Sequence, residues 1–375
     1  MKLWGTYNEG LFVALKEDII EYSKSLGIDL IGFTSAEAFE ELRPILASRE
    51  ALGHLSGFEE GVMEKRINPR LTMEDAESII VIGQSYYHDV DQKNKPRYHG
   101  ELARTAWGRD YHFVLMEKLT NLAEYIKKLS SNLQYKAFVD TGPLVDRHVA
   151  HRAGLGWYGY NSTLINEGYG SWFFIGYLLT NLQLQPDKTL EDQCAGCNLC
   201  VEQCPGGAIE GPYSFNANKC LSYVLQQRET IPHEKRGNLG NRLYGCDICQ
   251  LVCPHNKEVK ASKEEAFIPK DLPHHVDLVQ LINITSKDFK TLFNKNASGW
   301  RGKKTLQRNA IIALGNCGDQ EAIKYLMPLL KDPRREIREY ALGAVYKLDK
   351  NAAVKAAEEY DMTHIIKELM AKDEI

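Results

Sequence analysis

Residues 194–204 read CAGCNLCVEQC, and Pro205 follows directly. Four thiols in eleven residues constrain this chain more than any other feature. The spacing, Cys-x2-Cys-x2-Cys-x3-Cys-Pro, crowds three thiolates into one loop and sends the fourth elsewhere. A structural zinc site instead pairs one Cys-x2-Cys with another across a spacer. Disulfide frameworks belong to small secreted domains, and a chain of 375 residues buries a core without them. The run predicts iron–sulfur ligation in the ferredoxin manner, where the fourth cysteine serves a neighbouring cluster.

A second segment, CDICQLVCP (246–254), repeats the last three cysteines of such a run but lacks the first. Cys220 supplies the missing thiol. The spacing then predicts two 4Fe–4S clusters, one held by Cys194, Cys197, Cys200 and Cys253, the other by Cys204, Cys220, Cys246 and Cys249. Clusters interleaved in this way form a short electron path. The ninth cysteine, Cys317, falls in a helical region and reads as a small buried apolar residue.

The flanks differ from each other. Before the clusters, LFVALKEDIIEYSKSLG (11–27) has helical apolar spacing ending at Gly27. LIGFTS (30–35), SIIVIGQSYY (78–87) and YKAFVD (135–140) read as buried strands, and YHFVLMEKLTNLAEYIKKLS (111–130) as a helix between the last two. This predicts a mixed α/β region. The longest apolar run there, WFFIGYLL (172–179), is too short to span a bilayer, and no export signal opens the sequence, so a cytoplasmic protein without a membrane segment is expected. GLGWYG (154–159) fits Gly-x-Gly-x-x-Gly, but the helix-like DRHVAHRA precedes it where a dinucleotide fold needs a strand. DYHFVL (110–115) begins like an Asp-x-His-x-x-Gly cobalt-ligating element, with Leu115 in place of the glycine. His148 and His151, three apart on that helix-like stretch, read as ordinary histidines and not as a metal pair.

After the clusters, RNAIIALG (308–315) returns as REYALGAV (338–345), a period of 30 residues typical of stacked HEAT-like helical repeats. Net charge over the chain is −4, yet residues 287–350 hold 14 Lys or Arg against 7 Asp or Glu. A basic repeat domain on an acidic protein points to an anionic partner, and Arg301, Lys303, Lys304, Arg308, Arg334, Arg335 and Arg338 are available for an RNA backbone. Pairing of some of these with Glu336 and Glu339 is the competing expectation.

Several stretches in combination resemble the epoxyqueuosine reductases, cobalamin-dependent iron–sulfur enzymes of tRNA queuosine synthesis related to reductive dehalogenases. The carriers are LGIDLIGF (26–33), LSGFEE (55–60), ARTAWGRDYH (103–112), VDTGPLVDRHVAHRAGLGWYGYN (139–161), YGSW (169–172), GNRLYGCDICQ (240–250) and SGWRGKKTLQRNAIIALGN (298–316), with the cysteine segments. Asp146 departs from a usual glutamate and Tyr160 from a common lysine.

The resemblance implies three parts: an α/β cobalamin-binding domain over 1–182, nitroreductase-like and reductive-dehalogenase-like; a ferredoxin-like bis-4Fe–4S module over 183–265; and an all-α HEAT-like, tRNA-binding domain over 266–375. It implies base-off cobalamin beside the nearer cluster, with Arg66, Ala103, Asp140, Leu164, Ile175 and Ser222 around the corrin. The implied reaction is reduction of epoxyqueuosine to queuosine at the wobble position of a tRNA anticodon stem-loop. Asp140 is the expected proton donor, its pKa raised by an apolar setting. A monomer fed by an external one-electron donor, of flavodoxin or ferredoxin type, completes the expectation. A corrinoid iron–sulfur enzyme acting on a small molecule, as reductive dehalogenases do, is the alternative. A plain electron carrier and a non-catalytic RNA scaffold explain fewer of the segments.

Overall fold

The computed structural model describes residues 2–90 and 95–373, with side chains from 14 to 371. The strands that position the sites are β1 (Leu30–Ser35), β2 (Ser78–Ser85), β3 (His99–Leu102), β4 (Tyr135–Phe138), β5 (Phe173–Thr180), β6 (Arg242–Tyr244) and β7 (His275–Asp277). The helices are α1 (Lys2–Ser25), α2 (Met63–Ile67), α3 (Tyr111–Leu129), α4 (Asp146–Arg152), α5 (Lys303–Gly315) and α6 (Arg335–Leu348).

By internal packing the chain divides into two compact units. The first comprises Met1–Asp89, Asp110–Asn218 and Ile248–Ile268; the second comprises Val90–Arg109, Lys219–Asp247 and Pro269–Ile375. β3 leaves the N-terminal region to become the middle strand of a sheet in the second unit. The cysteine segments contribute residues to both units.

In the first unit a four-stranded antiparallel sheet runs in the order β1-β2-β5-β4. Every residue of β2 is buried, and its side chains alternate between two cores. Ile80 and Ile82 meet Leu115, Leu119, Leu122 and Ile126 of α3, whose spacing places them on one helical face. Ile79 and Val81 meet Val149 and Ala150 of α4. Each fully buried Leu or Ile contributes roughly 1.5–3 kcal/mol by leaving water. Gly32 is required where β1 passes the end of α4, since a Cβ there would stand 2.1 Å from the Ala153 carbonyl oxygen. The strand expected over 135–140 stops at Phe138, because Asp140 turns the backbone to a φ of +59°.

In the second unit β3 pairs in parallel with β6 and antiparallel with β7. The two repeated segments form α5 and α6, which approach so closely that a Cβ on Gly315 would stand 2.8 Å from Ala344 Cα. Cys317 is exposed rather than buried: α5 ends at Gly315, and Cys317 lies in the turn beyond it. Among the described residues no helix is long and apolar enough to cross a membrane.

Candidate functional site

The first unit gathers four of the cysteines. Cys194, Cys197, Cys200 and Cys253 line one small cavity with Tyr160, Asn161, Ile165 and His255. All four are free thiols. Burial, then the neighbouring Cys253 and Cys194, pushes the Cys200 thiol up to about 11, and burial likewise raises Cys194 and Cys253. A set of four soft donors this crowded becomes thiolate against a strongly positive core, so the donor chemistry fits a 4Fe–4S cluster. Of the other four cysteines, Cys204 and Cys249 belong to the first unit, Cys220 and Cys246 to the second. Cys204 Sγ accepts a hydrogen bond from the Ala208 amide at 3.2 Å, the kind of contact that supports a thiolate.

A second cluster of polar groups lies at the start of α3 and the end of β4. Asp110 caps α3, accepting the His112 amide at 3.0 Å, and its Oδ1 also stands 2.7 Å from His112 Nδ1. His112 Nε2 lies 3.5 Å from Asp140 Oδ2. The result is a row: carboxylate, imidazole, carboxylate. Burial opposes a charge on His112, but hydrogen bonds to Asp110 and Asp140 outweigh it and its pKa is pushed up to about 9. Asp140 takes the opposite direction from the one expected. The His112 hydrogen bond, aided by the Tyr111 hydroxyl, overrides burial and holds its carboxyl below the usual range. Its side chain is 65% exposed.

The raised carboxyl is Asp146, six residues on. Burial, then the charge of Asp140, pushes it up to about 7. Among the described residues its Oδ1 is buried without a hydrogen-bond partner, and its carboxyl takes a hydrogen bond from the Asp140 amide. The positive φ of Asp140 and this amide contact are one feature: the turn aims the Asp140 backbone at Asp146 and its side chain at His112. A non-glycine residue held in the left-handed region stores strain of order 1–3 kcal/mol, and such residues cluster at functional sites.

Other expected cofactor residues are distributed as follows. Arg66, on α2, is buried, and burial lowers its pKa, its charge being met at range by Glu59, Glu50 and Glu60. Leu164 and Ile175 belong to the apolar cluster that also contains Ile67 and Tyr177. A buried cation and an apolar wall are the side-chain chemistry that suits the amide-fringed edge and hydrocarbon face of a corrin. Ala103 and Ser222 lie in the second unit, Ala103 bonded to the Tyr244 carbonyl and Ser222 to the Gln226 side chain. His148 and His151 are each engaged separately, His148 with Glu41 at 2.8 Å and His151 with the Gly156 carbonyl at 3.0 Å.

On the repeats, Arg308 is corrected. It is 2% exposed, and its guanidinium donates to the carbonyls of Leu225, Gln227 and Glu229, so it is a structural tie and not a contact for a phosphate. Lys304 is exposed and paired with Glu336. Arg335 pairs with Glu339, and Arg334 with Asp332. Arg338 donates to the carbonyls of Asp332 and Pro333. Arg301 donates to the Gln226 carbonyl while stacking over Trp300, and Lys303 reaches the Ile284 carbonyl. The His112–Asp110 row was absent from the residues singled out by sequence; its only signal was the incomplete Asp-x-His-x-x-Gly.

Comparison with known proteins bears on all of these parts. Residues 66–141 match the family described as "Epoxyqueuosine reductase QueG, DUF1730", residues 193–256 a 4Fe–4S double cluster binding domain, and residues 301–361 HEAT repeats. The chain is 41% identical to an epoxyqueuosine reductase of Bacillus subtilis over 338 residues, covering 89% of this chain and 88% of that one. It is 40% identical to one of Listeria monocytogenes, with 92% and 93% covered. A solved epoxyqueuosine reductase with an epoxyqueuosine-modified tRNA-Tyr stem loop superposes at a TM-score of 0.91 and 39% identity, covering 95% of this chain and 98% of that one. A Bacillus subtilis epoxyqueuosine reductase, described with an aspartate catalytic loop swung out of the active site, superposes at 0.88 and 37% identity, with 95% and 98% covered.

Proposed function

Because the chain belongs to the epoxyqueuosine reductase family, an oxidoreductase family, we propose that it reduces epoxyqueuosine to queuosine at the wobble position of a tRNA anticodon. The observation that carries this reading is identity of about two residues in five along nine-tenths of the chain to relatives of that name, together with a relative solved with the modified stem loop. Removing the epoxide oxygen as water consumes two electrons and two protons. When bound, base-off cobalamin supplies a strongly reducing cobalt centre, and two 4Fe–4S clusters supply its electrons singly from a flavodoxin- or ferredoxin-type donor.

The chain's own residues hold the cofactors and move the protons. Cys194, Cys197, Cys200 and Cys253 hold one cluster; sequence spacing assigns Cys204, Cys220, Cys246 and Cys249 to the other. Arg66, Leu164 and Ile175 would hold the corrin, and the family resemblance adds Ala103 and Ser222. Asp140 delivers a proton to the oxygen that leaves. Its low pKa means that it holds no proton of its own at neutral pH, so His112, charged up to about pH 9, supplies one through their contact. Asp110 keeps the imidazole oriented and charged. Lys303, Lys304 and Arg301 remain as contacts for the tRNA backbone, with Lys304 exchanging Glu336 for a phosphate.

The test is conversion. Protein reconstituted with iron, sulfide and cobalamin is given a low-potential reductant and an epoxyqueuosine stem loop, and the nucleosides are identified by mass spectrometry. Loss of one oxygen atom, dependent on cobalamin, is expected; an unchanged nucleoside overturns the reading.

A further inference from the structure

The three-stranded sheet of the second unit carries side chains for which the reaction has no use. His99 and Glu101 stand two apart on β3 and therefore share a face of the sheet. His275 on β7 is directly opposite Glu101 in the antiparallel register, on that same face. The other face is core, where Gly100 meets Leu243 and Leu278. One ligand atom from each of His99, Glu101 and His275 lies within 4.8 Å of the others.

Two independent observations give this cluster the character of a ligand set. His99 Nδ1 is 3.0 Å from the Pro96 carbonyl oxygen. A carbonyl only accepts, so Nδ1 carries the proton and Nε2 presents a lone pair, the arrangement that fixes the tautomer of a metal-bound histidine. His275 is 7% exposed, and among the described residues neither of its ring nitrogens has a hydrogen-bond partner. An imidazole buried with both nitrogens unpaired forgoes its hydration without return, and a cation on this face restores one bond. Asp277 shares the face too, but its oxygens accept from the Gln280 amide at 3.0 Å and side chain at 3.3 Å. The fourth position is thereby left to water.

We propose that His99, Glu101 and His275 bind a zinc-class divalent cation, distinct from the cysteine-held clusters, that ties β3 to β7. Two imidazole nitrogens and one carboxylate suit zinc, whereas calcium and magnesium select all-oxygen sites and soft copper selects sulfur. Zinc bonds of about 2.0–2.1 Å bring tetrahedral ligand atoms to roughly 3.3 Å apart, so the side chains close by about an ångström on loading. The consequence is mechanical. The segment Val90–Arg109 becomes anchored to the strand that leads into the helical repeats.

The experiment uses the full chain with its clusters reconstituted, equilibrated with zinc chloride and desalted. Metal is counted by mass spectrometry, and zinc coordination is read by X-ray absorption. The expected result is about one zinc per chain with nitrogen and oxygen neighbours at about 2.0–2.1 Å and no sulfur at about 2.3 Å. Glu101→Gln and His275→Ala each lower retained zinc by at least about tenfold with iron content unchanged. If His275→Ala also loses iron, Glu101→Gln, a substitution at a half-exposed position, decides alone. No retained zinc, a sulfur shell, or zinc undiminished in Glu101→Gln overturns the proposal. So does iron in excess of about eight atoms that is lost with the same substitutions, which identifies ferrous iron as the occupant.

Discussion

His112 Nε2 stands 3.5 Å from the carboxylate of Asp140, and that contact holds below its usual range a carboxyl expected above it. The imidazole carries the proton and the carboxylate carries the charge. The proposed proton relay therefore has a pH dependence that can be read.

His112 has its folded pKa raised from 6.5 to about 9. Its contribution is therefore fully present below about pH 6.5 and is lost as pH rises through about 9. Single-turnover rates of the wild type should fall above about pH 9, with a slope of one proton. His112→Gln should slow turnover by roughly 10²–10⁴-fold and abolish that limb. An unchanged alkaline limb in His112→Gln would assign it to another group.

Asp146 is raised from 3.8 to about 7 by burial. Its effect on stability is favourable below about pH 3.8 and is lost progressively as the buried carboxyl is forced to ionise, up to about pH 7 and beyond. Asp146→Asn should accordingly stabilise the fold at pH 8, by on the order of 1–3 kcal/mol, and do little at pH 4. Urea titrations at the two pH values measure the difference; a gain of equal size at both would contradict it.

Arg308 and Lys304 lie four apart on one helix and should separate completely. Arg308→Ala leaves the Gln227 and Glu229 carbonyls without this donor, the Leu225 carbonyl keeping Asn309, and should cost about 2 kcal/mol of stability in the second unit. Lys304→Gln should leave stability within about 0.5 kcal/mol while weakening stem-loop binding. The slope of log affinity against log salt should also fall by about 0.7–0.9. Fluorescence anisotropy across a salt series reads the second effect. A full salt slope in Lys304→Gln would remove it from the interface.

Cys197 belongs to the cysteine set held within the first unit. Cys197→Ala should lower iron and sulfide from about eight to about four atoms each, leaving one cluster with an altered paramagnetic spectrum. A full complement in this variant would break the assignment of ligands.

The sequence was most informative where chemistry depends on local spacing. Cysteine intervals alone pointed to paired clusters, and a period of 30 residues disclosed the helical repeats. It was least informative where a residue's setting comes from distant chain. β5 is the strand joining β2 to β4, yet WFFIGYLL carries no alternation to mark it, because a strand buried on both faces reads as a plain apolar run. Arg308 looked like a surface cation because its partners, Leu225 to Glu229, lie about eighty residues earlier. His112 was discounted with a motif that lacked its glycine, when the working partner was Asp140, supplied by the next strand. The charged neighbour of Asp140 was hidden for the same reason: no local feature shows that a turn aspartate lies beside an imidazole twenty-eight residues earlier.

The most direct measurement is turnover of Asp140→Asn on an epoxyqueuosine stem loop, with iron, corrinoid and RNA binding determined on the same sample. The predicted result is cofactor and RNA binding at wild-type levels with conversion reduced at least about 100-fold. Conversion near the wild-type rate in a fully loaded Asp140→Asn protein would contradict the proton relay at the centre of the proposed reaction.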